Sequence, residues 1–394
     1  MPSASETRPW RVLVALLVYN GEELVTPCLR SLASVVPFPH SMDVLILDDA
    51  SSAPGWSDRC HLMCEEFGFG YYRSPRNLGI PRNMNLGLLW TLERDYDAVI
   101  LLNADTVVPS NLIPALIEPL RVADDVSSVT AWSNNASIYS LPNDRPGIFA
   151  DAPHLVDWVS SIMEREFGGQ TIVIPSGVGF CMAIPTLMIR RVGIMDPLFG
   201  RGYSEEIDWC LRSHSLGYRS LLAPSCFVYH AGSGVNKKEG LVGGANQLMS
   251  GNQDIIDVRY PLYSTQIDGY WASSLARDLG ERGCRAIVTN GARELGYRLD
   301  VGWLRRRPND ERTVCFRVDP AGDGLVITGS YLGCEWSFPV ESGDVVETLE
   351  SVVGDPPQEV RIHDQGRRSA EVFAMVNGRS EIQLRPAYYN ERVL

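Results

Sequence analysis

The hydrophobic positions of the N-terminal half fall in short unbroken runs. Residues 11–18 read RVLVALLV, residues 43–47 read DVLIL and residues 98–102 read AVILL. Successive side chains of a strand point to opposite faces, so a run with no polar interruption predicts a strand covered on both sides. Between these runs the spacing changes. Residues 22–34 place Leu24, Cys28, Leu29 and Leu32 on one helical face, and residues 58–67 and 81–94 also read as helices. Tyr71 and Tyr72 mark a short strand. Strands alternating with helices predict a mostly parallel sheet with helices on both faces, and in such sheets ligands bind beyond the carboxyl ends of the strands. The polar residues gather at those ends: Asp48 and Asp49 after the second run, Asn103 and Asp105 after the third.

The pattern becomes irregular over residues 129–175, where Asn134, Asn135, Pro142, Pro146 and Pro153 predict an insertion with its own helix at 156–167. Order returns with a glycine-containing strand at 176–184, helices at 186–192 and 205–215, and a strand at 220–229. After residue 251 the character shifts. Residues 271–282 read as a helix ended by Gly283, and residues 285–288 as a strand. From residue 313 the apolar runs are short and split by glycine and proline, at 313–318, 324–328, 335–340, 371–376 and 381–384. The expected organisation is an α/β domain over residues 1–255 followed by a smaller α+β, mainly β domain over 256–394.

Composition narrows the function. The chain has 394 residues and a formal net charge of −13, and its strongest basic cluster is Arg305, Arg306 and Arg307. An acidic chain without a basic stripe is a poor general binder of nucleic acid or of anionic membranes, and an anionic substrate needs a local source of positive charge. The nine cysteines include no CxxC pair, which fits free thiols in a reducing compartment. The N-terminal nine residues lack the apolar core of a secretion signal, and no apolar run approaches the ~20 residues that span a bilayer. A cytoplasmic location is expected, peripheral at the inner membrane face if the acceptor is lipid-linked.

Four constellations carry chemistry. Asn103-Ala104-Asp105 follows a buried strand, where a carboxylate facing a crevice can hold a hard divalent cation, although an aspartate there is also an ordinary turn residue. Asp48-Asp49-Ala50-Ser51-Ser52 can accept hydrogen bonds from a base or ribose, or start an Asx-turn. Ser204-Glu205-Glu206-Ile207-Asp208 opens a helix. Ser204 suits the N-cap, the acids suit the helix dipole, and any of the three carboxylates could take a proton from an acceptor. Asp208 and Arg212 can pair at i, i+4. His230 ends a strand and could be structural or a further metal ligand beside a carboxylate.

Together these segments resemble the family 2 glycosyltransferases of the GT-A fold, over about residues 12–233. VALLVYNGEELVTPCLRSL, LILDDASS, NLGIPRNMNLGL, LLNADTVVP, SGVGFCMAI with RRVGIMDPLFGRGYSEEIDWCLRSHSLGYR, and FVYHAGS follow the order of that family's landmarks. The resemblance implies a bacterial-type enzyme, of polysaccharide or O-antigen type, that moves a sugar with inversion from a UDP- or dTDP-sugar to a hydroxyl of a glycan, lipid-linked or other acceptor. It implies Mn²⁺ or Mg²⁺ held by Asp105 and His230. It assigns Tyr19, Asn20, Asp48, Asp49, Asn77, Arg82, Asn83, Asn103, Ala104, Asp105, Gly177 and Gly179 to the donor. It makes Glu206 the candidate base, with Glu205 and Asp208 as the other acids of the helix. Asn103 stands where the first acid of the DxD motif would be, so it is assigned to ribose or phosphate rather than metal. Glu206 stands in place of an aspartate, one methylene longer.

Two other readings compete. A sugar nucleotidyltransferase would carry a glycine-rich basic loop after the first strand, where this chain has Tyr19-Asn20-Gly21-Glu22-Glu23. A catalytically silent carbohydrate- or nucleotide-sugar-binding protein is opposed by the retention of Asp105, Glu206 and His230. The C-terminal segment could recognise the acceptor, mediate a homo-oligomer or form a lid. Trp271, Trp303 and Trp336 could stack on sugar rings or pack a core.

Overall fold

The computed structural model describes residues 8–141, 152–232, 247–301, 313–321, 324–340, 344–363 and 382–386, with Ala370 and Val372. The cluster Arg305–Arg307, Trp303 and most of the run 371–376 lie outside the described residues. The chain divides into two compact units, residues 1–277 and 278–394. The first therefore reaches beyond the expected limit at residue 255, because one helix spans that limit, another follows it, and both pack onto the unit.

The first unit is built on strands β1 (Arg11–Val18), β2 (Ser41–Asp48), β3 (Gly70–Arg73), β4 (Ala98–Asn103), β5 (Thr106–Val107), β6 (Val126–Ser133), β7 (Ile172–Ile174), β8 (Cys181–Pro185) and β9 (Arg219–His230). Its helices are α1 (Glu22–Ala33), α2 (Trp56–Phe67), α3 (Ile80–Glu93), α4 (Leu112–Arg121), α5 (Val156–Phe167), α6 (Thr186–Val192), α7 (Glu205–Ser215), α8 (Gln247–Arg259) and α9 (Tyr263–Ala272). The strand order is β3-β2-β1-β4-β8-β6-β9-β5, with β7 also on β9. β3, β2, β1, β4, β6 and β9 run one way; β5, β7 and β8 run against them. This is the mostly parallel α/β architecture expected.

The unbroken apolar runs have the predicted cause. Val12, Val14, Leu16 and Val18 of β1 join the core on one face with α1, α2 and α4. Leu13, Ala15 and Leu17 join the core on the other with α3, α6 and α7. α3 lies so close to the sheet that a Cβ on Gly87 would come within 2.7 Å of the Ala15 methyl. Only the absence of a side chain permits that approach.

The second unit holds β10 (Tyr297–Val301), β11 (Val314–Ala321), β12 (Gly324–Tyr331), β13 (Cys334–Pro339), β14 (Glu359–Ile362) and β15 (Gln383–Pro386), with helices α10 (Ser274–Leu295), whose first turn precedes the unit boundary, and α11 (Val345–Val353). The sheet order is β13-β12-β11-β10-β14-β15. It is mixed, since β10, β11, β14 and β15 are parallel neighbours while β12 runs against β11 and β13. Residues 285–288, expected as a strand, lie within α10. Ala286, Ile287 and Val288 are buried because the helix presses its apolar side on the sheet, where Val288 and Phe316 crowd Gly329. Gly283 does not end that helix; tertiary burial outweighs its weak helix propensity. Trp336 stacks on Phe338 at 4.3 Å within the sheet, and Trp271 meets Tyr270 edge-on. All nine cysteines are free and buried. Among the described residues no helix is long and apolar enough to cross a membrane.

Candidate active site

A cavity of about 380 Å³ opens at the carboxyl ends of β1, β2 and β4. Tyr19, Asn20 and Gly21 line it where β1 gives way to α1, and Asn103, Ala104 and Asp105 where β4 ends. Asn20 has φ of 56°, a left-handed turn that asparagine tolerates better than most residues. Its backbone N–H donates to Ser51 Oγ and its Oδ1 accepts from Ser52 N, both at 2.8 Å, so the β1 and β2 ends are tied together.

The two aspartates that end β2 take different roles. Asp49 lines the cavity. Its carboxylate accepts from Leu78 N at 2.6 Å and Gly79 N at 2.9 Å, which fixes the loop bearing Asn77. Burial pushes the Asp49 carboxyl up, against the pull of those two donors. Asp48 is fully buried and does not line the cavity. It accepts from Ser51 N, Tyr71 Oη and the Arg73 guanidinium. The expectation that Asp48 contacts the donor is corrected: its oxygens are used inside the fold, because the first of two consecutive strand-end residues still points into the layer between sheet and helix.

Asn83 lines the cavity from α3. Its Nδ2 donates to Leu47 O at 2.9 Å, and its buried Oδ1 has no hydrogen-bond partner among the described residues. Arg82, also expected at the donor, is exposed on α3 outside the cavity lining, since adjacent helix positions face about 100° apart. The cation on this wall is instead Arg201. It belongs to the loop before α7, and its positive charge pulls on Asp49. Nothing in its local spacing marks it; the loop folds across to Gly79, where a Cβ would collide with the Gly200 carbonyl.

Asp105 and His230, far apart in the chain, meet because β5 pairs with β9 and sets Thr106 opposite His230. His230 Nε2 stands 3.2 Å from Asp105 Oδ1. His230 Nδ1 faces the Asn135 carbonyl at 2.6 Å, which it can only donate to, and Phe180 stacks on the ring at 5.2 Å. The neutral tautomer therefore turns the Nε2 lone pair toward Asp105. Burial opposes charge on both groups. The mutual attraction prevails, raising the His230 pKa and lowering that of Asp105. A carboxylate and an oriented imidazole side by side form a donor set suited to Mn²⁺. Among the described residues no third acid, histidine or cysteine completes a metal-binding group. Such a pair leaves coordination positions to oxygens of a bound phosphate and to water.

The opposite wall is acidic. Glu205 and Glu206 line the cavity at the start of α7, with Gly179 close by: a Cβ on Gly179 would lie 3.7 Å from Glu206 Cδ. Burial raises the Glu205 pKa well above the carboxylate range, and the charge of Glu206 adds to it. Burial also raises that of Glu206, offset in part by backbone N–H groups of Glu206, Gly179 and Ile207. One oxygen of each, Oε2, is buried without a hydrogen-bond partner among the described residues. A buried acceptor left open costs ~1–3 kcal/mol, so such atoms mark places where a ligand group belongs.

Two more expectations are corrected here. Asp208 is fully buried and outside the cavity lining. It accepts from Arg212 Nε at 2.8 Å, Arg259 Nη1 at 2.7 Å and Tyr260 Oη at 3.0 Å. The predicted pairing with Arg212 is present, and that engagement removes Asp208 from the acids open to a substrate. Gly177 lies behind the wall, where its N–H donates to Cys210 Sγ and a Cβ would press on Thr130 Oγ1. Ser204 stands at the N-cap position with φ of 76° and makes no capping bond, because a side-chain cap needs an extended backbone. Tyr203, Met84, Phe180, Asn135 and Ser137 complete the walls. Their types carry no chemical signature in a single sequence.

Several known proteins are similar to this chain. An undecaprenyl-phosphate mannosyltransferase of Micrococcus luteus is 26% identical over 238 residues, 60% of this chain and 90% of that protein. Among solved structures, GalNAc-T7 with UDP, GalNAc and Mn²⁺ is 15% identical with a TM-score of 0.45, over 57% of this chain and 44% of that one. This chain thus spans less than half the length of that structure. The mannosyltransferase PcManGT from Pyrobaculum calidifontis, in complex with GDP-Man and Mn²⁺, is 16% identical with a TM-score of 0.42, over 72% of this chain and 88% of that one. Residues 13–188, which carry β1 through α6, match the family model described as Glycosyl transferase family 2. The N-terminal unit therefore carries a glycosyl transferase family 2 domain.

Proposed function

We propose that the cavity transfers a sugar from a nucleoside-diphosphate donor to an acceptor hydroxyl, with inversion and with a divalent cation. The observation that carries this reading is the presence, in one cavity, of the Asp105–His230 pair, the open Asn83 amide oxygen beside Asp49, and the Glu205–Glu206 pair. Asp49, Asn77 and Asn83 hold the base and ribose, and Tyr19, Asn20, Asn103 and Ala104 border them. UDP and dTDP donors both suit this wall. Asp105 and His230 hold Mn²⁺ or Mg²⁺, which supplies charge neutralisation for the departing diphosphate when bound. Arg201 adds a positive charge to a cavity whose lining carries the acids Asp49, Asp105, Glu205 and Glu206.

Glu206 takes the proton from the acceptor hydroxyl as its oxygen attacks the anomeric carbon. Burial keeps Glu206 more basic than an exposed carboxylate. The name of the Micrococcus relative contains a phosphate acceptor. A phosphate is already ionised and would meet two buried carboxylates, so the acid pair favours a hydroxyl acceptor here. A lipid-linked glycan supplies that hydroxyl as well as a free one does. The setting proposed is polysaccharide or glycan biosynthesis in the cytoplasm, peripheral to the membrane where the acceptor is lipid-linked.

The test is donor hydrolysis and transfer by the full chain across a panel of UDP-, dTDP- and GDP-sugars with Mn²⁺, with and without EDTA, followed by linkage analysis. Cleavage that is abolished by EDTA and yields the inverted anomer supports the reading. No turnover of any nucleotide sugar, or turnover indifferent to EDTA, refutes it.

A further inference from the structure

The loop before α7 is held in a conformation that its own residues disfavour. Gly202, Tyr203 and Ser204 have φ of 130°, 74° and 76°. For Tyr203 and Ser204 the left-handed region is disfavoured, because Cβ crowds the following carbonyl oxygen. A Cβ on Gly202 would come within 2.8 Å of Ile80 Cδ1. Since Ser204 makes no cap, the loop needs an outside restraint, and the next residues are Glu205 and Glu206.

That restraint comes from α8, nearly fifty residues later. Asn252 is 5% exposed. Its Nδ2 lies 3.0 Å from Phe199 O, 2.8 Å from Gly202 O and 2.9 Å from Tyr203 O. A primary amide has two hydrogens, so they are shared among three carbonyls of the loop. One helical turn on, Ile256 packs with Phe199, Leu211 and Tyr263. At the end of the helix, Arg259 Nη1 donates to Asp208 Oδ1 at 2.7 Å and Asp196 Oδ2 at 2.9 Å. Positions 252, 256 and 259 share one helix face, and that face grips both the loop and α7.

We infer that Asn252 is a positioning residue for the acid pair: α8 clamps the 199–204 loop and thereby sets where Glu205 and Glu206 stand in the cavity. The inference rests on the reading of Glu206 as the base. Asn252 does not itself line the cavity, which it reaches through Tyr203, and it lies beyond residues 13–188 of the family match. A displacement of about 1 Å in a reacting group can cost on the order of 100-fold in rate.

The experiment measures kcat, donor KM and the melting temperature for Asn252→Ala, Asn252→Asp and Glu206→Gln in the full chain, with assays well below each variant's melting point. Asn252→Ala is expected to lower kcat about 10- to 100-fold and to leave donor KM within about twofold. Asn252→Asp sets a carboxylate against three carbonyls and loses more. If Asn252→Ala melts earlier but keeps kcat within about twofold, the residue only stabilises the fold and the inference is overturned. Where Asn252→Ala fails to fold, Asn252→Ser retains one donor; an intermediate kcat supports the clamp, and an unchanged kcat overturns it. The double variant Asn252→Ala with Glu206→Gln should be no slower than Glu206→Gln alone, and additive losses contradict action through the base. Wild-type turnover in Glu206→Gln would instead overturn the base assignment.

Discussion

The two walls of the cavity are built on different principles. The donor wall stands on the ends of parallel strands, and its key acid, Asp49, is anchored by two backbone N–H groups from a loop about thirty residues away. Its geometry follows from sheet register. The acceptor wall stands on a strained loop and a helix start, held by side chains of α8, and one oxygen of each of Glu205 and Glu206 has no hydrogen-bond partner among the described residues. The comparison teaches that one wall is pre-formed by secondary structure while the other depends on tertiary restraint. Substitutions at the first should change donor binding. Substitutions at the second should change turnover.

The largest expected effect is at the acceptor wall. Glu206→Gln keeps the shape and removes the base, so kcat should fall ~10²- to 10⁴-fold with donor KM nearly unchanged; a large rise in donor KM would erase the distinction between the walls. Next comes the cation pair. Asp105→Asn is expected to weaken Mn²⁺-dependent donor binding about 10- to 100-fold, the loss typical of a disturbed metal ligand shell. Isothermal titration with nucleotide, with and without Mn²⁺, reads this, and unchanged affinity would remove Asp105 from the metal site.

Smaller is Asp49→Asn. It weakens two charge-assisted bonds to the Leu78 and Gly79 amides, worth ~1–3 kcal/mol to lose. Donor KM should rise about tenfold, with kcat retained. A kcat loss without a KM change would place Asp49 on the wrong wall.

The smallest effect is on stability. The folded Glu205 pKa lies above its unfolded value because burial and Glu206 disfavour its charge. As pH rises past the unfolded pKa the unfolded chain releases the proton first, so stability falls until pH passes the folded pKa and then levels off. Glu205→Gln should therefore raise the melting temperature at pH 8 by more than at pH 4. An equal shift at both would mean that the carboxyl is not held against ionisation. Activity should likewise climb with pH through a range above that of an exposed carboxylate, because Glu206 must be ionised to act.

Much of the donor wall was legible in the chain. Apolar runs ending in Asp49 or in Asn103-Ala104-Asp105 dictate strands whose ends face a crevice, since a strand covered on both sides can present polar groups only at its tip. The neighbours misread at those positions differ in direction. Asp48 and Asp49 are consecutive and point apart, and Arg82 precedes Asn83 by one helix step, so which member of each pair faces the cavity depends on twist and packing. Asp208 reads as a third acid of the same helix, yet Arg212, Arg259 and Tyr260 take up its oxygens, and two of those three lie some fifty residues on. Arg201 had no pattern to reveal it. The strand expected at 285–288 became helix because so short an apolar run suits either element until its neighbours are known.

Periodicity alone determined the α/β layering of the first unit, the covered strands and the order of the chemical segments, because alternation of faces and helical spacing act over a few residues. Only the tertiary structure decided which acids meet the cavity, how His230 reaches Asp105, and that α8 belongs to the site. Those outcomes rest on contacts between segments about fifty to more than a hundred residues apart, whose free energy comes from burial and shared hydrogen bonds that no local spacing encodes.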